Sequence, residues 1–218
     1  MNFVENISSG IAKSLGNRLE KTDEEIAVLN YGLFFIIHTT VAVLATIIVG
    51  LVLNILLEIM IISVAASLLK RYSGGVHSST PNRCTLSGVI LSSILAFIDR
   101  YIYQKFSYNE LLLFIVIGVL ISIYIFYNKC PVPSKNKPLK NENTRRKLRQ
   151  KSFRLISLYI VLILTLLILY NINNIYIINI IITTSIVWGM LLQAMSITKL
   201  GEVIIDAFEK IFDIIKLN

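Results

Sequence analysis

Two residues in this chain have the types and spacing for nucleophilic catalysis. They are His77 and Cys84, in the polar run KRYSGGVHSSTPNRC from Lys70 to Cys84. A thiolate is a strong nucleophile, and an imidazole within hydrogen-bond reach can take the thiol proton and later protonate a leaving amine. Thr80-Pro81 reads as a helix N-cap followed by proline at the first helical position. Cys84 then falls in a helix's first turn, where unpaired amides and the helix dipole favour an anion and lower a thiol pKa. Arg83 beside it is expected to act in the same direction. Gly74-Gly75 lets the backbone take positive φ before His77 and turn the imidazole back towards Cys84, or admit a substrate strand.

By themselves a His and a Cys at this spacing are more often incidental than catalytic, because free cysteines and glycine pairs are common in loops. The group that would orient the imidazole is not legible; Asn82, Ser78 and Ser79 are neighbours in sequence only. Helix-start amides are the natural oxyanion donors. Cys130, followed by Pro131, is a rival thiol with no nearby His and reads as a bystander. His38 lies midway along an apolar run and reads as a residue bonded inside a bundle. Glu58 is an acid between apolar runs; below the membrane surface it is a functional candidate, whereas a turn at Asn54–Glu58 leaves it in water. Two cysteines make no disulfide framework, and neither HExxH nor paired CxxC is present, so neither metal nor cofactor is expected.

The elements that must position this loop are apolar. The 218 residues are 55% hydrophobic and 16% charged, with mean hydropathy +0.72. Soluble domains carry about 25% charged residues, so this composition indicates an integral membrane protein. Helical spans need ~20 apolar residues to cross ~30 Å of hydrocarbon. The runs here lack the alternation of a barrel strand, which leaves an all-α polytopic protein with about six transmembrane helices. Residues 1–21 lack a continuous apolar core and are not expected to be a secretory signal. Phe3, Ile7, Ile11, Leu15 and Leu19 instead form one stripe, as in a helix lying on the membrane surface, or else packed on protein.

Residues 26–69 are long enough for two crossings, with a turn near Gly50–Asn54. The loop 70–83 follows, then a third span (81–103) and a fourth (108–127). Asp99, Arg100, Tyr101 and Tyr103 are expected at the far headgroup interface. A basic loop occupies 128–151, followed by spans at 153–170 and 175–197. The tail, 200–218, is amphipathic: Glu202, Asp206, Glu209 and Asp213 recur at three or four, opposite Val203, Ile204, Phe208, Ile211, Phe212 and Ile215. It suits an interfacial or bundle-docking helix. All of this reads as one membrane domain, 1–218.

Of 21 Lys and Arg residues, all but Arg100 and Lys105 fall on one side of this layout. That side is cytoplasmic by the positive-inside rule, so both termini and the His77 loop are expected to face the cytosol of a multi-pass cell-membrane protein. The net charge of +8 is explained by orientation and lipid headgroups, and nucleic acid is not an expected partner.

The run RYSGGVH followed by Cys84 resembles the signature of the AgrB family (accessory gene regulator B), membrane peptidases of Gram-positive peptide quorum sensing. CPVPSKNKPL, from Cys130 to Leu139, is similar to that family's second cytoplasmic loop, and the length and span layout agree. The resemblance implies a cysteine endopeptidase with Cys84 as nucleophile and His77 as base, acting on an AgrD-like propeptide. It implies cleavage of the propeptide's acidic C-terminal tail through an acyl-thioester, then attack by an internal Cys or Ser to close a thiolactone or lactone. By this analogy Arg71, Gly74, Gly75 and Arg83 support the loop and substrate. Lys129, Lys135, Lys137 and Lys140 bind the acidic tail or, equally, anchor lipid; a homodimer is the expected assembly. The competing reading is a non-catalytic peptide exporter or peptide-binding receptor.

Overall fold

In the computed structural model, residues 3–133, 141–170 and 176–215 are described, with the side chains of Phe3, Tyr170 and Tyr176 excepted. Lys135, Lys137, Lys140 and the turn at Asn171–Asn174 lie outside them. Eight helices and no strand occur among the described residues: α1 Phe3–Arg18, α2 Asp23–Val52, α3 Leu56–Ser73, α4 Pro81–Lys105, α5 Tyr108–Lys129, α6 Glu142–Tyr170, α7 Tyr176–Ser196 and α8 Lys199–Ile214.

Five of these, α2 and α4 to α7, are long and apolar enough to cross a membrane. The expected six is therefore matched only roughly. The remaining candidate, α3, is 18 residues long and contains Glu58, Lys70 and Arg71. The turn between α2 and α3 falls at Leu53–Ile55, as expected, with Asn54 at positive φ (56°). The basic segment is less of a loop than expected, because α6 already begins at Glu142, well before Phe153.

The chain divides into two compact units, one ending at Ile48 and the other starting at Val49. In the first, α1 and α2 form a hairpin. Val4, Ser8, Ala12 and Gly16 make the buried side of α1, and a Cβ on Gly16 would run into Ile26. Thr22 caps α2: Glu25 N–H donates to its hydroxyl at 3.3 Å, and Thr22 N–H donates back to the Glu25 carboxylate at 3.0 Å. Ile11, Leu15 and Leu19 remain exposed, as a membrane-surface stripe requires. The His38 ring stacks on Phe34 with centroids 5.6 Å apart.

The second unit is organised around α7, which packs against α3, α4, α5, α6 and α8. Its buried face carries Thr183, Thr184, Ser185, Gly189, Met190, Gln193 and Ala194. Hydroxyls in such a core need acceptors, and Thr184 donates to the Ile180 carbonyl at 3.0 Å. A Cβ on Gly189 would meet Ala65 and the Ile62 carbonyl; one on Gly118 would run into Val187. Leucines such as Leu113, Leu120, Leu158 and Leu164 stay exposed on α5 and α6, consistent with lipid contact.

The far end of α4 differs from expectation. Asp99 is completely buried and accepts a hydrogen bond from Ser185 Oγ at 2.6 Å, instead of meeting headgroups. Glu58 is also buried, at 1% exposure, so the turn does not leave it in water. Its Oε1 accepts from Arg100 Nε and Tyr103 Oη, each at 3.0 Å. A buried carboxylate is tolerable when paired in this way.

Candidate active site

The loop between α3 and α4 is shaped by its two glycines. Gly74 caps α3 with φ 72°, and Gly75 follows at φ 131°, a backbone that L side chains rarely adopt. A Cβ on Gly74 would run into the Val132 carbonyl, and one on Gly75 would lie 2.7 Å from Ser196 Oγ. The loop is thus pressed between α7 and the segment after α5. Val132 N–H donates to the Ser73 carbonyl at 2.8 Å. Gln193, 2% exposed, donates through Nε2 to Ser73 Oγ at 2.8 Å and to the Gly74 carbonyl at 2.7 Å. Val76 N–H donates to the Ser196 carbonyl at 3.0 Å, and Lys70 Nζ to the Val76 carbonyl at 2.9 Å.

The start of α4 follows the pattern read from Thr80-Pro81. Thr80 is the N-cap and Pro81 the first helical residue; the Thr80 hydroxyl accepts from Arg83 N–H at 3.4 Å. Cys84 is the fourth residue of the helix, and its own amide already bonds to the Thr80 carbonyl at 3.0 Å. Cys84 is half-buried and not in a disulfide. His77 is exposed, yet enough protein surrounds its ring that desolvation holds its pKa below 6.5, with the Lys70 charge as second cause. The imidazole is therefore mainly neutral at pH 7, the form a base requires. Among the described residues, neither the His77 ring nor the Cys84 thiol is engaged in a hydrogen bond, with each other or with a third group.

What lies between them is held firmly. The Glu209 carboxylate on α8 accepts from Ser79 N–H at 2.8 Å, from Ser79 Oγ at 2.7 Å and from Arg83 Nη1 at 2.6 Å. Asp213 adds a second ion pair to Arg83 at 2.7 Å, and the guanidinium lies 5.9 Å from the Phe212 ring centroid. Arg83 therefore faces two carboxylates, and the expected help to a Cys84 thiolate is offset by their charge. Burial alone would raise the Glu209 pKa, but the Ser79 donors and Arg83 outweigh it and bring it to about 2.

The other expected residues are scattered. Arg71 is exposed and lies over the Tyr72 ring at 5.8 Å, where Lys151 also sits at 5.8 Å. Lys129 is exposed at the end of α5. Cys130 is buried, and its thiol donates to Ser152 Oγ at 3.3 Å. Burial pushes its pKa up, against weaker opposing effects of Ser152 and Arg149. It is poorly suited to be the nucleophile. Ser73, Gln193, Ser196, Glu209 and Asp213 were not singled out as site residues from sequence. A lone amide in an apolar span, such as Gln193, was the available signal for one of them.

These features define a multi-pass α-helical membrane protein with His77 on a braced loop and Cys84 in the first turn of the helix that follows it. A family model described as Accessory gene regulator B matches residues 8–197. The chain belongs to the AgrB family. It is 32% identical over 208 residues to "Putative AgrB-like protein 2" of Clostridium perfringens (strain 13 / Type A), covering 95% of this chain and 97% of that one. It is 29% identical over 209 residues to "Putative AgrB-like protein" of Clostridium perfringens (strain SM101 / Type A), with the same coverage. No solved structure matches the chain.

Proposed function

We propose that this protein is a membrane-embedded cysteine endopeptidase that removes the C-terminal tail of an AgrD-like propeptide and cyclises the remainder. The observation that carries this reading is that backbone on both sides of His77 and Cys84 is pinned, while among the described residues neither side chain is held by a hydrogen bond. Structural residues in such a loop are normally the ones that make its bonds. Here the two reactive groups are spared, and the imidazole is neutral.

In the proposed reaction His77 takes the Cys84 proton and Sγ attacks the scissile carbonyl carbon. A C–S bond forms, the C–N bond breaks, and His77 protonates the departing amine. The Asn82 amide, in the first turn of α4, is the natural donor to the oxyanion. A propeptide Cys or Ser then attacks the thioester, closing the ring and freeing Cys84. Making a thioester from an amide is uphill, whereas exchange with a second thiol is near neutral, so departure of the tail draws the sequence forward. Cyclisation must outrun hydrolysis, which calls for a site at the membrane surface that holds the peptide folded back and limits water.

We assign the loop, both termini and the basic segment running into the start of α6 to the cytosolic side, because 19 of the 21 Lys and Arg residues fall in these segments. Lys129 is then placed to meet an acidic tail. The test is co-expression with an AgrD-like propeptide and mass analysis of the products. Wild type should yield a free tail and a ring, and Cys84→Ala neither. Continued tail release by Cys84→Ala would sink the mechanism and favour an exporter or receptor.

A further inference from the structure

We infer that Glu209 on α8 is a positioning residue for this site, holding the backbone between His77 and Cys84 so that the two can meet. This rests on the peptidase reading above. The carboxylate takes three donors from two residues of one short segment: the amide and hydroxyl of Ser79, and the guanidinium of Arg83. Ser79 is two residues after His77, and Arg83 immediately precedes Cys84. One anionic group therefore sets both ends of the connection between base and nucleophile.

The grip on the loop is not duplicated elsewhere among the described residues. Upstream, Val76 is tied to Ser196 and Lys70, which fixes the entry to His77 but not the turn after it. The Thr80 cap fixes the helix start locally. The turn itself is reached from a distant part of the chain by α8. A bidentate carboxylate on an amide, a hydroxyl and a guanidinium is a strong, directional arrangement. Its side chain is 20% exposed, whereas that of Asp213 is 68% exposed, so Glu209 is the principal anchor and Asp213 its support. Phe212, buried beneath Arg83, and Gly201, whose Cβ would meet Ser196 and Val76, seat α8 against the loop. The helix begins beyond residue 197, where the family match ends, so this brace is not carried by the matched region.

The test uses the full-length protein in membranes or detergent, with two readouts. Glu209→Gln keeps the shape but replaces one acceptor oxygen by a donor nitrogen. Tail release should fall on the order of tenfold to a hundredfold in kcat, the scale that a misplacement of about 1 Å produces, with KM for the propeptide little changed. The pH profile of Cys84 alkylation by iodoacetamide should move to that of His77→Ala. Glu209→Asp, which keeps the charge, should recover part of the loss, and Asp206→Asn on the same helix should behave as wild type. Wild-type kcat and alkylation profile in Glu209→Gln would overturn the inference. Should Glu209→Gln fail to fold, Ser79→Ala removes one of the three bonds and must show a smaller loss of the same kind; no loss overturns the inference. Should wild type release no tail, the peptidase reading falls, and the alkylation profile alone decides: equal profiles overturn the brace, and a shift supports it.

Discussion

Val132 N–H donates to the Ser73 carbonyl at 2.8 Å, and the Val132 carbonyl fills the space beside Gly74. The stretch that resembles the AgrB signature, RYSGGVH, and the start of the one similar to that family's second loop, CPVP, are thereby in direct contact. Gly74 is the residue that permits it, having both a positive φ and no Cβ. Gly74→Ala should therefore cost stability and displace the loop. We expect about 1–3 kcal/mol from backbone strain and overlap, and a tail-release rate at least about tenfold lower. Thermal unfolding in detergent and product analysis test this, and an unchanged melting temperature with full activity would refute it.

Cys130 is buried and bonded to Ser152, with its thiol pKa raised by burial, whereas Cys84 is half-buried at a helix start. Brief treatment of the folded protein with iodoacetamide at neutral pH should label Cys84 and spare Cys130. Cys130→Ser should retain tail release to within roughly threefold, since no chemistry is assigned to it. Peptide mapping after labelling distinguishes the two thiols. Preferential labelling of Cys130 would count against Cys84 as the reactive group.

Two groups near the site titrate in different ranges, which makes the pH dependence informative. His77 is held below 6.5, so it stays neutral until the pH falls under that value, and the acid limb of kcat/KM should have its midpoint below 6.5. Lys70→Met removes one cause of the lowering and should move the limb upward, towards 6.5. Glu209 titrates far lower, at about 2 against an ordinary 4.5. Its stabilising contribution is complete above 4.5 and is lost only as the pH falls from there towards 2. An acid limb that Lys70→Met does not move would argue against His77 as the base.

Glu58 is the acceptor for Arg100 and Tyr103 at the opposite end of α3 from the loop. Removing a buried partner leaves the other charge uncompensated, at about 3–5 kcal/mol for fully buried pairs. The Arg100 side chain is 29% exposed, so about 2 kcal/mol is the better expectation for Glu58→Ala. The Cys84 alkylation profile should be unaffected. Chemical or thermal unfolding gives the first quantity, and a shifted profile would show instead that this pair communicates with the site.

Much of this protein was legible because the relevant signals are local. Apolar runs and the Thr80-Pro81 cap each depend on residues close in sequence. The first indicated an all-α membrane protein, with a span number only roughly matched by five long apolar helices, and the second put Cys84 in the first turn of α4. Gly74-Gly75 likewise announced an unusual backbone, and both take positive φ. Tertiary structure decided the rest. Ser79 meets Glu209 across a sequence separation of 130, and Gln193 meets Ser73 across 120. The periodic acids of α8 reveal an amphipathic helix, but hydropathy cannot say which of them faces solvent and which faces a guanidinium. The same limit applies to Asp99, whose position near a span end looked interfacial until α7 supplied Ser185 inside the bundle. Helix packing chooses among polar partners of similar chemistry, and that choice is made only when distant segments come together. The sequence alone therefore singled out the two side chains proposed to react, whereas the tertiary structure decided what holds the backbone between them.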